Sequence, residues 1–250
     1  MGRAKTFGNA GKARGMIRTE QDGDVTVVTL DRPERRNAFT SEALDNLETA
    51  VSDAETSVLY LRGEGRAFSA GADFDTVQGL DAETAPEFSR KGQAVAAALE
   101  TADAVVVAGI DGHAHGGGLE LALACDIRVA TVRSTFAEPG VKLGLFGAWG
   151  GTARLPDAIG AADAMDLALS GRTIDAEEAR RIGLVSRIVD DPRTVADEIA
   201  AHPPDALRLV KERLRDNADR ETQERREREA FATLIERHGK TVRERFENGP

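Results

Sequence analysis

Three consecutive glycines, Gly116, Gly117 and Gly118, are followed two residues later by a carboxylate, Glu120. Ahead of them runs a β-branched stretch, Val105, Val106 and Val107, that ends at Ile110, Asp111 and Gly112. Glycines let a backbone approach a ligand closely, and the first turn of a helix offers unpaired N–H groups to a negative charge. A glutamate in that same turn is placed to move protons. The combination reads as acyl chemistry with a stabilised oxyanion rather than as phosphate binding. A second run of small residues, Ser69, Ala70, Gly71 and Ala72 ahead of Asp73, leaves another backbone N–H uncovered. One such turn says little, but an oxyanion hole needs two convergent donors, and the chain has two candidate turns.

The elements that must hold these turns alternate in type. Residues 25–30 read as a strand closed by Asp31, Arg32 and Pro33. Thr40 or Ser41 then caps a helix whose apolar face is Leu44, Leu47 and Val51. Residues 58–61 form a second strand, a mobile acidic region spans about 74–86, and a helix runs over 88–99. The strand over 105–110, a helix over 119–124 and a strand over 127–130 follow. Alternation of this kind predicts an α/β core. From Asp175 a capped helix begins and Gly183 ends it. His202, Pro203, Pro204 and Asp205 then break the chain before an Arg/Glu-rich helical tail reaching Asn248. Its apolar positions, including Leu207, Val210, Leu214, Phe231, Leu234 and Ile235, predict packing against the core or a neighbouring subunit. Three regions result: a disordered tail over residues 1–15, a core over 16–190 and a helical region over 191–250.

Bulk properties exclude several classes. With 250 residues and a net charge of −10, the chain carries no basic surface for nucleic acid or an anionic membrane. No apolar run approaches the ~20 residues that span a bilayer, and residues 1–15 contain no apolar secretion signal. The single cysteine, Cys125, reads as a small core residue in a reducing cytoplasm. Only six of the 33 basic residues are Lys, so an acidic, lysine-poor surface suits a high-salt cytoplasm. His113 and His115 flank the glycine turn with neither the spacing nor the companions of a metal site. No metal is expected. His115 remains a candidate for lining an acyl pocket.

On its motifs the chain resembles the crotonase, or enoyl-CoA hydratase/isomerase, family. The matching pieces are Asp31, Arg32 and Pro33 with Asn37, Ala38 and Phe39, then residues 67–73, then Asp111 and Gly112 through Gly116–Glu120, with Cys125, Asp126 and Ile127 beyond. Gly150, Gly151, Thr152, Ala153, Arg154 and Leu155 continue the pattern, which closes over residues 171–179. The resemblance implies a spiral of ββα units, an α/β fold, with a C-terminal helical region used in trimer packing, as a homotrimer or a hexamer of paired trimers. It also implies that the backbone N–H groups of Ala72 and Gly117 hold the oxygen of an acyl-CoA thioester, with Glu120 catalytic. Arg36 would contact a CoA phosphate and Ala70 would lie near the adenine. Asp73 and Gly116 would complete the CoA site, Asp73 by fixing its own turn, while Asp126 would be structural. CoA is then part of the substrate, and no separate cofactor is expected.

The match fails at one position. Hydratases of this family set two glutamates around one water, one to take its proton and one to relay a proton to the α-carbon. The first falls on Glu120 and the second on Gly140, which has no acid. Three readings stay open. Glu120 works alone in hydration or proton transfer. Alternatively Glu138, two residues earlier in a segment taken as extended and so on the same face, substitutes. Or the protein is an atypical isomerase, a thioester hydrolase or an acyl-CoA-binding protein with little catalysis. The plainer readings are a carboxylate on the helix dipole for Glu120, a surface position or one just behind the reacting groups for Glu138, and core packing for both Phe146 and Trp149.

Overall fold

The computed structural model describes residues 12–247. Two compact units divide at Ala200 and Ala201. In the first, seven strands form one sheet: β1 (Lys12–Arg14), β2 (Ile17–Asp22), β3 (Val25–Leu30), β4 (Val58–Gly63), β6 (Val105–Ile110), β8 (Ile127–Ala130) and β11 (Arg187–Ile188), in that spatial order. The first three pair antiparallel, and β3 onward pair parallel. A second sheet orders β10 (Thr173–Asp175), β9 (Thr135–Ala137), β7 (His113–His115) and β5 (Ala67–Ser69). Each turn of the chain therefore lays one strand in each sheet: β4 then β5, β6 then β7, β8 then β9. That is the expected α/β spiral of ββα units. The strands β3 and β6 are buried along their whole length, as parallel strands covered on both faces must be.

Helix α1 (Ser41–Ser52) begins where Thr40 Oγ1 accepts the Ala43 N–H at 3.2 Å, and Leu44, Leu47 and Val51 are buried as the pattern predicts. The acidic stretch is more ordered in secondary structure than expected. Asp73 caps a short helix, α2 (Phe74–Gln78), and α3 (Ala85–Thr101) starts three residues earlier than predicted. Helices α3 and α4 (Gly117–Ala124) pack together, and α4 also packs on α5 (Gly151–Ile159). Helix α6 (Ala161–Ser170) follows, and α7 (Ala176–Arg181) is capped by Asp175, whose Oδ1 accepts the Glu178 N–H at 2.8 Å. Asp126 is structural as expected: its Oδ2 accepts the Val106 N–H at 2.7 Å and ties α4's exit to β6. Cys125 is a buried core residue.

Two expected boundaries shift. Residues 1–11 of the anticipated tail lie outside the described residues, but Lys12–Arg14 pair with β2 as β1, because Arg14 opposite Ile17 makes a tight hairpin. Helices run from Arg193 onward, but the first of them, α8 (Arg193–Ala200), packs on β3, β4 and β6, so the compact units divide after it. The second unit consists of α9 (Pro204–Leu214) and α10 (Arg220–Glu247). Asp216 joins them by accepting from Arg213 and Arg226, while Asp205 accepts from Arg237 and pairs with His238. Among the described residues, no helix is long and apolar enough to cross a membrane.

Candidate active site

The two glycine turns meet. Gly71 has φ +91°, and a Cβ there would stand 2.7 Å from the Gly117 nitrogen and 2.8 Å from the His115 carbonyl. At Gly118, a Cβ would stand 2.5 Å from the Ser69 carbonyl. Only glycine allows this approach. Gly116, at φ 51° and ψ −128°, turns the chain into α4, so Gly117 is its first residue and its N–H has no partner within the helix. Ala72 is bridged to Phe39: the Phe39 N–H donates to Gly71 O and the Asp73 N–H donates to Phe39 O, both at 2.8 Å. Alternation along that bridge turns the Ala72 N–H away from Phe39. Neither the Ala72 nor the Gly117 N–H finds an acceptor among the described residues.

The loop at 32–39 braces the Ala72 turn, a role that sequence reasoning assigned only to Asp73. Asn37 Nδ2 donates to Ala67 O at 2.8 Å and Glu64 O at 3.0 Å, while Ser69 Oγ donates to Asn37 O and accepts the Gly71 N–H. Arg32 Nη1 donates to Asp73 Oδ2 at 2.8 Å and to Ala38 O at 3.1 Å. Burial alone would raise the Asp73 carboxyl, but the Thr76 N–H and Arg32 outweigh it and hold the group below the usual carboxylate range. Arg36 and Asn37 both adopt left-handed φ, 52° and 56°. Such geometry costs about 1–3 kcal/mol per residue and persists where surrounding contacts over-determine it. The Arg36 side chain is exposed, and its carbonyl accepts the Ala70 N–H at 2.9 Å.

Glu120 is 1% exposed. Its Oε1 accepts the N–H groups of Trp149 and Gly151, each at 2.8 Å. Burial raises its carboxyl, while those two donors and Arg154 oppose the rise and favour the ionised form. The turn that supplies the donors is shaped around the carboxylate: a Cβ at Gly147 or Gly151 would stand within 3 Å of Glu120 side-chain atoms. The sequence signal for this is the glycine density over residues 144–151, four glycines in eight residues. Trp149 is in the core as expected, 3% exposed, edge-on to Phe39 at 5.9 Å and to Phe88 at 5.7 Å. Its ring lies against the backbones of Gly92 and Gly117, where a Cβ would collide with it. Phe146 departs from the expected core packing. It is 73% exposed because its loop turns outward over Gly140.

Of the two plain positions open to Glu138, the surface one does not hold: it is buried and lines an apolar cavity of about 320 Å³ with Gly147, Gly151 and residues of α5 and α6. The segment is not extended either. β9 ends at Ala137 and Pro139–Leu143 form a 3-10 turn, so the two-residue alternation invoked for positions 138 and 140 does not hold. His115 does sit at the turn, its Nε2 paired with Thr135 Oγ1 at 3.1 Å. Burial, His113, Arg36 and Lys142 push its pKa down to about 4, so it is neutral.

A sequence model of the family described as Enoyl-CoA hydratase/isomerase matches residues 20–246. The chain is 39% identical over 209 residues to a Mycobacterium bovis protein named probable enoyl-CoA hydratase, covering 78% of this chain and 79% of that one. It superposes on enoyl-CoA hydratase from Bacillus anthracis with a TM-score of 0.83 at 31% identity, over 88% and 91% of the two chains. A Thermobifida fusca structure in complex with CoA matches with a TM-score of 0.82 at 32% identity, over 90% of this chain and 95% of that one.

Proposed function

The chain belongs to the enoyl-CoA hydratase/isomerase family, and on that premise we propose that this enzyme adds water across the double bond of a 2-enoyl-CoA thioester. The observation that carries the reading is the pair of unspent N–H groups, Ala72 and Gly117, beside the buried carboxylate of Glu120. The thioester oxygen takes both N–H groups, which bind it more tightly as charge develops on it in the enolate. One such donor is worth about 10²–10³ in rate. Glu120, its Oε1 held by Trp149 and Gly151, directs Oε2 at the attacking water and takes its proton. Burial makes it a stronger base than an exposed carboxylate, which suits that task.

The CoA moiety runs along the loop at 32–39, with Arg36 at a phosphate, Ala70 near the adenine, and Asp73 and Gly116 shaping the turns that hold the thioester. The CoA bound to the Thermobifida fusca protein supports this class of ligand. The functional assembly is a homotrimer or a dimer of trimers in the cytoplasm. Exposed apolar residues of the first unit, Leu143, Met165 and Leu169 among them, are consistent with surfaces that an assembly covers.

Mass spectrometry of crotonyl-CoA incubated with the purified protein tests the reading. A product heavier by one water is expected. Unchanged crotonyl-CoA, a shifted double bond at unchanged mass, or released free CoA would each contradict it.

A further inference from the structure

Gly140 stands where the family pattern calls for a second acid, and the fold crowds that position. A Cβ at Gly140 would meet the Phe146 Cα at 3.1 Å and the Leu145 carbonyl at 3.2 Å, both of them backbone of the following loop. Two residues earlier, Glu138 is 8% exposed, and its Oε1 has no hydrogen-bond partner among the described residues. A buried carboxyl without a donor is expensive to keep, more so when charged than when neutral. Such a group is a functional-site candidate when it sits in a cavity beside another carboxylate.

That is the arrangement here. Glu138 lines the apolar cavity together with Gly147 and Gly151, and those two glycines are the thin part of the wall, directly over the Glu120 carboxylate. The other sides present no charge to Glu138: Val141 and Leu145 come from the 3-10 turn and its loop, Leu155 from α5, and Met165 from α6. Among the described residues, the Glu120 carboxylate behind those glycines is the charged group that acts on it.

We propose that Glu138 is the second acid of the hydration reaction, displaced by two residues from the position that Gly140 leaves empty. This rests on the hydratase reading above. Glu120 takes a proton from water as the water oxygen bonds to C3 of the enoyl group. The electrons of the C2=C3 bond move into a thioester enolate held by Ala72 and Gly117. The Glu138 carboxyl then gives its proton to C2, and the proton on Glu120 returns to Glu138 through solvent. Substrate and one water become product, with both carboxyls restored. The two environments divide the labour. Glu120 has two N–H donors that favour the ionised form, whereas Glu138 has none among the described residues and is kept protonated by burial and by the Glu120 charge, its pKa pushed up to about 8.

The test is the pH profile of crotonyl-CoA hydration by the full chain and by Glu138→Gln. An acid must carry its proton to act, so wild-type kcat/KM falls as pH rises past about 8. In Glu138→Gln, kcat drops by about 10² or more with KM little changed, and the alkaline fall disappears. The thermal midpoint does not drop, because the substitution removes an unpartnered buried carboxyl rather than a structural contact. A Gln variant with wild-type kcat, or a wild-type profile flat through pH 8, overturns the proposal and leaves hydration standing. Should the variant fail to fold, the wild-type profile decides. A wild type that adds no water removes the hydratase reading instead, and this proposal with it.

Discussion

Replacing Glu120 by Gln lowers kcat for crotonyl-CoA hydration by about 10²–10⁴ while the affinity for the CoA ester stays within a few-fold. Gln is isosteric, and its amide oxygen can still accept the Trp149 and Gly151 N–H groups that fix Oε1. The fold around residues 147–151 therefore has no reason to move. What is lost is the base at Oε2. Stability is expected to hold or rise, because Glu120 is a buried charge whose desolvation already opposes ionisation. Steady-state kinetics, with isothermal titration of the ester onto the variant, separate the two terms. A variant retaining more than about a tenth of wild-type turnover would exclude Glu120 as the base.

The second large effect comes from a residue that never touches substrate. Gly71→Ala puts a methyl 2.7 Å from the Gly117 nitrogen and 2.8 Å from the His115 carbonyl, so the two turns must part. Separating them spoils the convergence of the Ala72 and Gly117 donors, and kcat is expected to fall by about 10²–10³ for the donor lost. The substitution also strains a left-handed backbone at φ +91°, which alone costs roughly 1–2 kcal/mol. Gly23→Ala is the control. It has φ +63° and no heavy atom within 4 Å of a Cβ, so it bears similar backbone strain far from the site. Kinetics and thermal melts should show loss of stability in both variants, larger in Gly71→Ala because the methyl clashes there as well, and loss of turnover only in Gly71→Ala. Turnover within tenfold of wild type in Gly71→Ala would contradict the role of the paired turns.

Much of this site is legible in the sequence because glycine leaves a readable signature. Gly71 and Gly116–Gly118 mark the two close approaches, and Glu120 follows at a fixed spacing on a helix. The longer strands β3, β4, β6 and β8 are legible too, since three to six apolar or β-branched residues in each give a clear pattern. The short strands β5, β7 and β9 are three residues each, too short for any period to show, and they are what carry the chain from one sheet to the other. Helix α2 was hidden in an acidic stretch because one side chain, Asp73, starts it. The burial of Glu138 was illegible for a different reason. Position 138 was read with the two-residue period of a strand, but the chain turns into a 3-10 helix at Pro139, and a loop from residues 145–147 folds over Gly140. Both are tertiary facts. The bracing of the Ala72 turn by Asn37 and Ser69 is equally tertiary, although two adjacent non-glycine residues in left-handed conformation are the local mark of it once seen.

Catalysis as proposed depends on two backbone donors converging on one oxygen, and isotope-edited infrared spectroscopy of a bound enoyl-CoA labelled at its thioester carbonyl observes that contact directly. Hydrogen bonds from Ala72 and Gly117 polarise the carbonyl, so its stretch should move to lower frequency on binding to the wild type and move back toward the free value in Gly71→Ala. A carbonyl stretch unchanged between free and bound ester would contradict the account, since an oxygen held by neither N–H leaves the enolate without its stabiliser.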